Sequence, residues 1–159
     1  KTLSDASRFV VVVCSLVDKG FMKRGKNKGR TIQVHHENGT VMYEGGLKND
    51  LRHGAGKEYL ADGSLEYDGN HKENARHGVG KWYSQGMLEY DGEWQNGRCH
   101  GRGRQYRLSG TLQYDGEWRM GFKEGIGKEF YVEGEVWYDG RWLKNERHGD
   151  GKTYSAEGT

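Results

Sequence analysis

The tripeptide Tyr-Asp/Glu-Gly occurs five times, at Tyr43, Tyr67, Tyr90, Tyr114 and Tyr138, at intervals of 24, 23, 24 and 24 residues. A fixed period of this size implies stacked copies of one supersecondary unit, each contacting mainly its neighbours. Glycine follows the same grid. It stands two residues after every tyrosine, at Gly45, Gly69, Gly92, Gly116 and Gly140. It stands again eleven and thirteen residues after, in the pairs Gly54/Gly56, Gly78/Gly80, Gly101/Gly103, Gly125/Gly127 and Gly149/Gly151. A further glycine closes each unit, at Gly63, Gly86, Gly110, Gly134 and Gly158, and Gly39 marks a degenerate partial unit ahead of the first full one.

Each unit reads as two strands. Around the tyrosine, polar and apolar residues alternate, as in Leu88-Glu89-Tyr90-Asp91-Gly92-Glu93-Trp94. Period-2 alternation predicts leucine, tyrosine, glycine and tryptophan on one face. Seven residues after the tyrosine come Asp50, Asn74, Gly97, Gly121 and Asn145, residue types that tolerate a left-handed backbone and so mark a hairpin turn. The second strand begins near the Gly-x-Gly, and a short turn such as Ala61-Asp62-Gly63 leads into the next unit. The fold expected is all-β: an elongated, single-layer antiparallel meander of stacked hairpins, ten strands over residues 39–159.

If positions in a hairpin pair so that their offsets from the tyrosine sum to fifteen, the aromatic at plus four faces the glycine at plus eleven, which gives its indole room. The same register sets Glu44, Asp68, Asp91, Asp115 and Asp139 opposite Lys57, Lys81, Arg104, Lys128 and Lys152.

The run Tyr90-Asp91-Gly92-Glu93-Trp94-Gln95-Asn96-Gly97-Arg98-Cys99-His100-Gly101-Arg102-Gly103 resembles the MORN repeat (membrane occupation and recognition nexus), and the resemblance extends over residues 39–159. The tryptophan position departs from the pattern in the first two units, where it is Leu47 and His71. The resemblance implies a stacked-hairpin sheet used as a binding or dimerising module. Similar repeats occur in junctophilins, in plant phosphatidylinositol phosphate kinases and in cytoskeletal scaffolds.

Residues 1–38 differ in kind. All ten tyrosines and five tryptophans lie at or after Tyr43, while residues 1–42 hold eight Lys/Arg against three Asp/Glu. The cluster Lys23, Arg24, Lys26, Lys28 and Arg30 is a candidate contact for anionic phospholipid, at about 1 kcal/mol per basic residue near a charged surface. The apolar run Phe9 to Val17 has nine residues, against about 20 for a spanning helix. No secretory cleavage pattern follows it. Cys14 and Cys99 form no disulfide framework and no zinc spacing. With the resemblance, these features lead us to expect a cytoplasmic protein, peripheral at membrane or cytoskeleton.

Catalysis, metal and cofactors are not expected. His53, His77, His100 and His148 recur at one repeat position, but equivalent positions lie two strands, about 9.6 Å, apart, too far to share an ion. They read as turn-bracing residues. Cys99 and His100 are strand neighbours pointing to opposite faces. Gly151-Lys152-Thr153 lacks the glycine of a phosphate loop, having Glu146 there. Asn38-Gly39-Thr40 reads as a turn rather than a glycosylation site. Nucleic acid is not expected as a partner either, because the array carries 17 basic against 20 acidic residues.

An apolar face with no second layer to cover it meets a partner. The expected function is therefore a non-catalytic scaffold or adaptor, binding a protein or a second copy of itself through Tyr90, Trp94, Tyr114, Trp118, Tyr138 and Trp142. The alternatives are a regulatory segment of a larger enzyme, such as a lipid kinase, and direct phosphoinositide binding.

Overall fold

The computed structural model describes residues 31–156. The basic cluster Lys23–Arg30, the apolar run, Cys14 and Gly158 lie outside the described residues. Eleven strands follow one another: β1 (Ile32–His35), β2 (Val41–Lys48), β3 (Leu51–Tyr59), β4 (Leu65–Lys72), β5 (Ala75–Ser84), β6 (Met87–Gln95), β7 (Arg98–Tyr106), β8 (Leu112–Arg119), β9 (Phe122–Phe130), β10 (Val136–Leu143) and β11 (Glu146–Thr153). They form one sheet in strict sequence order, all neighbours antiparallel. The expected ten strands become eleven because the partial unit at Gly39 contributes β1, whose Val34 pairs with Tyr43. Asn38-Gly39 is indeed a turn, with Gly39 at φ 86° and its N–H donated to the His36 carbonyl.

Two kinds of turn alternate. Within each unit the hairpin has positive φ at both central residues: Asn49/Asp50, Glu73/Asn74, Asn96/Gly97, Met120/Gly121 and Lys144/Asn145. That is the type I′ geometry that matches strand twist. Each of the last four turns donates a backbone N–H to the preceding hairpin, as from Asn74 to the Arg52 carbonyl and from Gly121 to the Cys99 carbonyl. Between units, most loops run like Leu60–Ser64, where Leu60 and Ser64 close the loop and Gly63 takes φ 86°. The second unit differs: Gln85-Gly86 is itself a two-residue turn with both φ positive, and Ser84 pairs with Met87. This tighter turn accounts for the single 23-residue interval.

The acid–base register holds in all five hairpins, as Glu44↔Lys57, Asp68↔Lys81, Asp91↔Arg104, Asp115↔Lys128 and Asp139↔Lys152. The bases also stand opposite the acid of the following unit. The ion contacts close on that second side, Lys57–Asp68 at 3.4 Å, Lys81–Asp91 at 3.3 Å, Arg104–Asp115 at 3.0 Å and Lys128–Asp139 at 3.1 Å. Ten alternating charges thus cross the back of the sheet as one row. Being solvent-exposed, the pairs fix register more than they stabilise.

The plus-four register is corrected. Beyond the plus-two glycine the pairing slips, so that Trp94 stands opposite Cys99 in its own hairpin, and Trp118 opposite Lys123. The glycine facing each aromatic belongs to the preceding unit: Gly54 to His71, Gly78 to Trp94, Gly101 to Trp118 and Gly125 to Trp142.

The single-face expectation for leucine is corrected too. Leu65 pairs with Tyr59 while Tyr67 pairs with Glu58, leaving Glu66 as an extra residue. The same slip recurs before Tyr43, Tyr90, Tyr114 and Tyr138. A one-residue bulge reverses side-chain direction. Leu65, Leu88, Leu112 and Val136 therefore pack on the back beside Tyr59, Tyr83, Tyr106 and Phe130.

Candidate functional site

The front of the sheet carries a continuous stack of rings. In order they are Tyr43, His71, Tyr67, Trp94, Tyr90, Trp118, Tyr114, Trp142 and Tyr138, each meeting the next edge-to-face with centroids 5.2–5.4 Å apart. Edge-to-face contact sets the positive rim of one ring against the negative face of the next. His71 fills the place tryptophan takes in later units. The phenol and indole groups of the stack find their partners in the backbone. The five tyrosine hydroxyls donate to the carbonyl three residues on, at 2.9–3.0 Å. The indoles of Trp94, Trp118 and Trp142 donate to the carbonyls of Gly80, Gly103 and Gly127, each at 3.0 Å.

The two glycines of each Gly-x-Gly serve different purposes. The second lies beneath a tyrosine: a Cβ on Gly56 would come 2.6 Å from Tyr43 Cε2, and one on Gly103 would likewise meet the Tyr90 ring. The first takes a left-handed backbone, with φ between 62° and 103° in all five units. The room attributed to the indole is thus used by the phenol. Burial pushes the hydroxyls of Tyr43, Tyr67, Tyr90 and Tyr114 above their ordinary pKa.

Over this spine lies an outer layer from position plus nine: Arg52, Arg76, Cys99, Lys123 and Arg147. Arg76 sits 4.8 Å from the Tyr67 centroid, Lys123 Nζ 4.7 Å from that of Tyr114, and Arg147 4.3 Å from that of Trp137. Near the N-terminal end the layer is closed by Glu58, which accepts from Arg52 Nη1 at 2.7 Å and Arg76 Nη2 at 2.6 Å. It also meets His71 Nε2 at 3.0 Å. Burial alone would raise this carboxyl's pKa; the His71 hydrogen bond and the two arginines outweigh it and hold the pKa at about 2. Burial pushes the Cys99 thiol up to about 11, which keeps it protonated at neutral pH.

At the other end the layer opens into a cleft of about 660 Å³ lined by Lys123, Glu129, Trp137, Tyr138, Trp142 and Arg147, with Glu146 and the β11 backbone at its rim. Among the described residues neither Lys123 nor Arg147 has a carboxylate within ion-pairing distance.

The six aromatics singled out in the sequence come together on one face, but they are packed against one another: Trp94, Trp118 and Trp142 are only 5–7 % exposed. They form the floor of the front face rather than its outermost layer. The sequence reading missed the plus-nine layer, Glu58 and two front-face tryptophans, Trp82 and Trp137, both half-buried against the spine. Trp82 pairs with Tyr67 and Tyr90, and Trp137 is the extra residue of the bulge before Tyr138. The two tryptophans were legible in one respect: among five they alone stand off the repeat grid. Of the recurring histidines, His100 accepts the Met120 N–H of the next turn at 3.5 Å, in keeping with a bracing role. No group of three or more His, Cys, Asp or Glu among the described residues is arranged to hold a metal ion.

A search of curated protein sequences finds no match. The family model for the MORN repeat matches residues 43–65, 67–87, 90–111, 114–136 and 138–159. Its boundaries begin at the tyrosines that start each ring pair. Repeats of this kind are non-catalytic modules of protein or membrane interaction. On both counts, the five matched units and the hairpin stack they build, the chain belongs to the MORN-repeat family.

Proposed function

We propose that this array is a scaffold or adaptor module that binds a partner protein along its front face, with Tyr90, Trp94, Tyr114, Trp118, Tyr138 and Trp142 as the floor and the outer layer as the contact. The observation that carries the reading is the pair Trp82 and Trp137. Both stand outside the repeat pattern, both lie on the ring side, and both remain half-exposed, whereas the in-register tryptophans are buried. A tryptophan the fold does not require, set in a face rich in arginine, has the composition of an interface anchor. Cytoplasmic placement at a membrane or cytoskeleton belongs to the same proposal and draws on the family resemblance.

Trp82→Ala and Trp137→Ala are expected to leave the circular dichroism unchanged and to weaken capture of the partner, or self-association in the ultracentrifuge, tenfold or more. Ile126→Thr on the back face, where Ile126 is 50 % exposed, is the control and is expected to do nothing. Undiminished binding by both tryptophan variants, with loss in the control, would transfer the interface to the back.

A further inference from the structure

We propose that the cleft over the last two hairpins binds a carboxylate side chain of an extended acidic segment in a partner protein, held between Lys123 and Arg147 against Trp137. The proposal rests on the reading of the front face as a protein-binding surface and names what one end of it recognises.

Lys123 is 8 % exposed, its ammonium 4.7 Å from the Tyr114 centroid and 5.3 Å from that of Trp142. Ring faces attract a cation but do not replace a counter-ion, and a buried cation without one is costly. Burial accordingly lowers the Lys123 pKa, with Glu129 opposing and Arg107 adding to the effect. Arg147 lies over Trp137 and Tyr138 in the same cleft.

The chain itself shows what belongs there. Arg52 and Arg76 occupy the same two repeat positions near the other end, and between them sits the Glu58 carboxylate. Glu129 is the sequence equivalent of Glu58, yet it makes no ion pair with Lys123 or Arg147. Glu58 has a third partner in His71. Trp142 stands at that place in the last unit, and its one side-chain N–H goes to the Gly127 carbonyl. Glu129 therefore lacks the donor set that holds Glu58 down, and with no carboxylate paired to them among the described residues the two cations stay open to one from a partner. The rim favours a single negative charge: Glu129 and Glu146 flank the cations and repel a dianionic phosphate more than a carboxylate. Trp137 offers an apolar wall to the neighbouring side chain of an extended chain.

The test uses the whole 159-residue chain and a fluorescein-labelled octapeptide alternating glutamate with valine, read by anisotropy. Saturable binding is expected, weakened at least tenfold by Lys123→Met and by Arg147→Gln, and strengthened severalfold by Glu129→Gln, which removes the flanking negative charge. Lys128→Gln, in the exposed charge row on the back of the sheet, is expected to leave it unchanged. Should Lys123→Met fail to fold, the changes at exposed Arg147 and half-buried Glu129 decide. Equal binding of the glutamine-for-glutamate peptide, or indifference to Arg147→Gln and Glu129→Gln, overturns the proposal. So does binding of phosphatidylserine vesicles through these residues with none of the peptide, which makes the cleft a headgroup site. If the glutamate peptide never binds while Trp82→Ala still abolishes partner capture, the protein-binding face stands and this assignment falls.

Discussion

Trp118→Ala removes the ring at the centre of the spine. A tryptophan buries about 150–250 Å², worth roughly 4–6 kcal/mol at 25 cal/mol per Å² and less against a compact unfolded chain. Trp118 also makes two edge-to-face contacts, with Tyr90 and Tyr114, and its Nε1–H satisfies the Gly103 carbonyl. The sheet relaxes only in part around the void, and the net loss should be about 3–5 kcal/mol. It should also be local. Rings on either side retain their other neighbour, so amide exchange should accelerate in β7, β8 and β9 and remain slow in β2 to β4. Trp118→Phe keeps a ring and loses the hydrogen bond, for about 1–2 kcal/mol. Urea titration followed by tryptophan emission, with hydrogen exchange on the same samples, measures both. A loss under about 1 kcal/mol with unchanged protection would mean that the spine is not the core, and the indole would then be free for the surface role its spacing suggested.

Acid should unfasten the N-terminal end first. The Glu58 pKa falls from 4.5 unfolded to about 2 folded, so its contribution is present above pH 4.5 and vanishes as pH drops through 2. At its full extent it amounts to about 3 kcal/mol. Glu58→Gln should flatten the stability profile across that window; an unaltered acid limb would show that the clamp is not ionic. Gly103→Ala puts a methyl into the Tyr90 ring and should cost about 2 kcal/mol or more. Gly63→Ala meets nothing within 4 Å and bears only the strain of φ 86°, about 1 kcal/mol. Thermal melts showing equal losses for the two would refute the distinction between the glycine roles.

The turn chemistry and the acid–base rows were readable because they depend on residue type at a fixed offset: Asp50, Asn74, Gly97, Gly121 and Asn145 all take positive φ, and all five charge pairs are in register. The bulges were not. Met42, Glu66, Glu89, Gln113 and Trp137 share no chemistry, and counting in twos passes over an extra residue without notice. Leu88 was consequently put on the face of Tyr90. The plus-four aromatic was misassigned for another reason. Each strand has two neighbours, and a pattern in one unit cannot tell whether a glycine faces its own hairpin or the next. The clamp at Glu58 depends on a departure from the repeat, His71 in place of tryptophan, and consensus reasoning treats such departures as loss.

The loop after β5 has two residues where its counterparts have five, yet Trp94 meets Tyr67 and Tyr90 at 5.3 and 5.2 Å, like every other pair. Chain length between units is therefore a free variable, and ring spacing is not. The molecule is a ruler graduated in hairpins: residues gained or lost in a connecting loop leave the graduation intact. Adding or removing a whole unit moves everything beyond it by one step of about 9.6 Å. Contacts placed on the front face, such as Trp82 and Trp137, then keep their separation through changes of length between them and lose it only when the number of units changes.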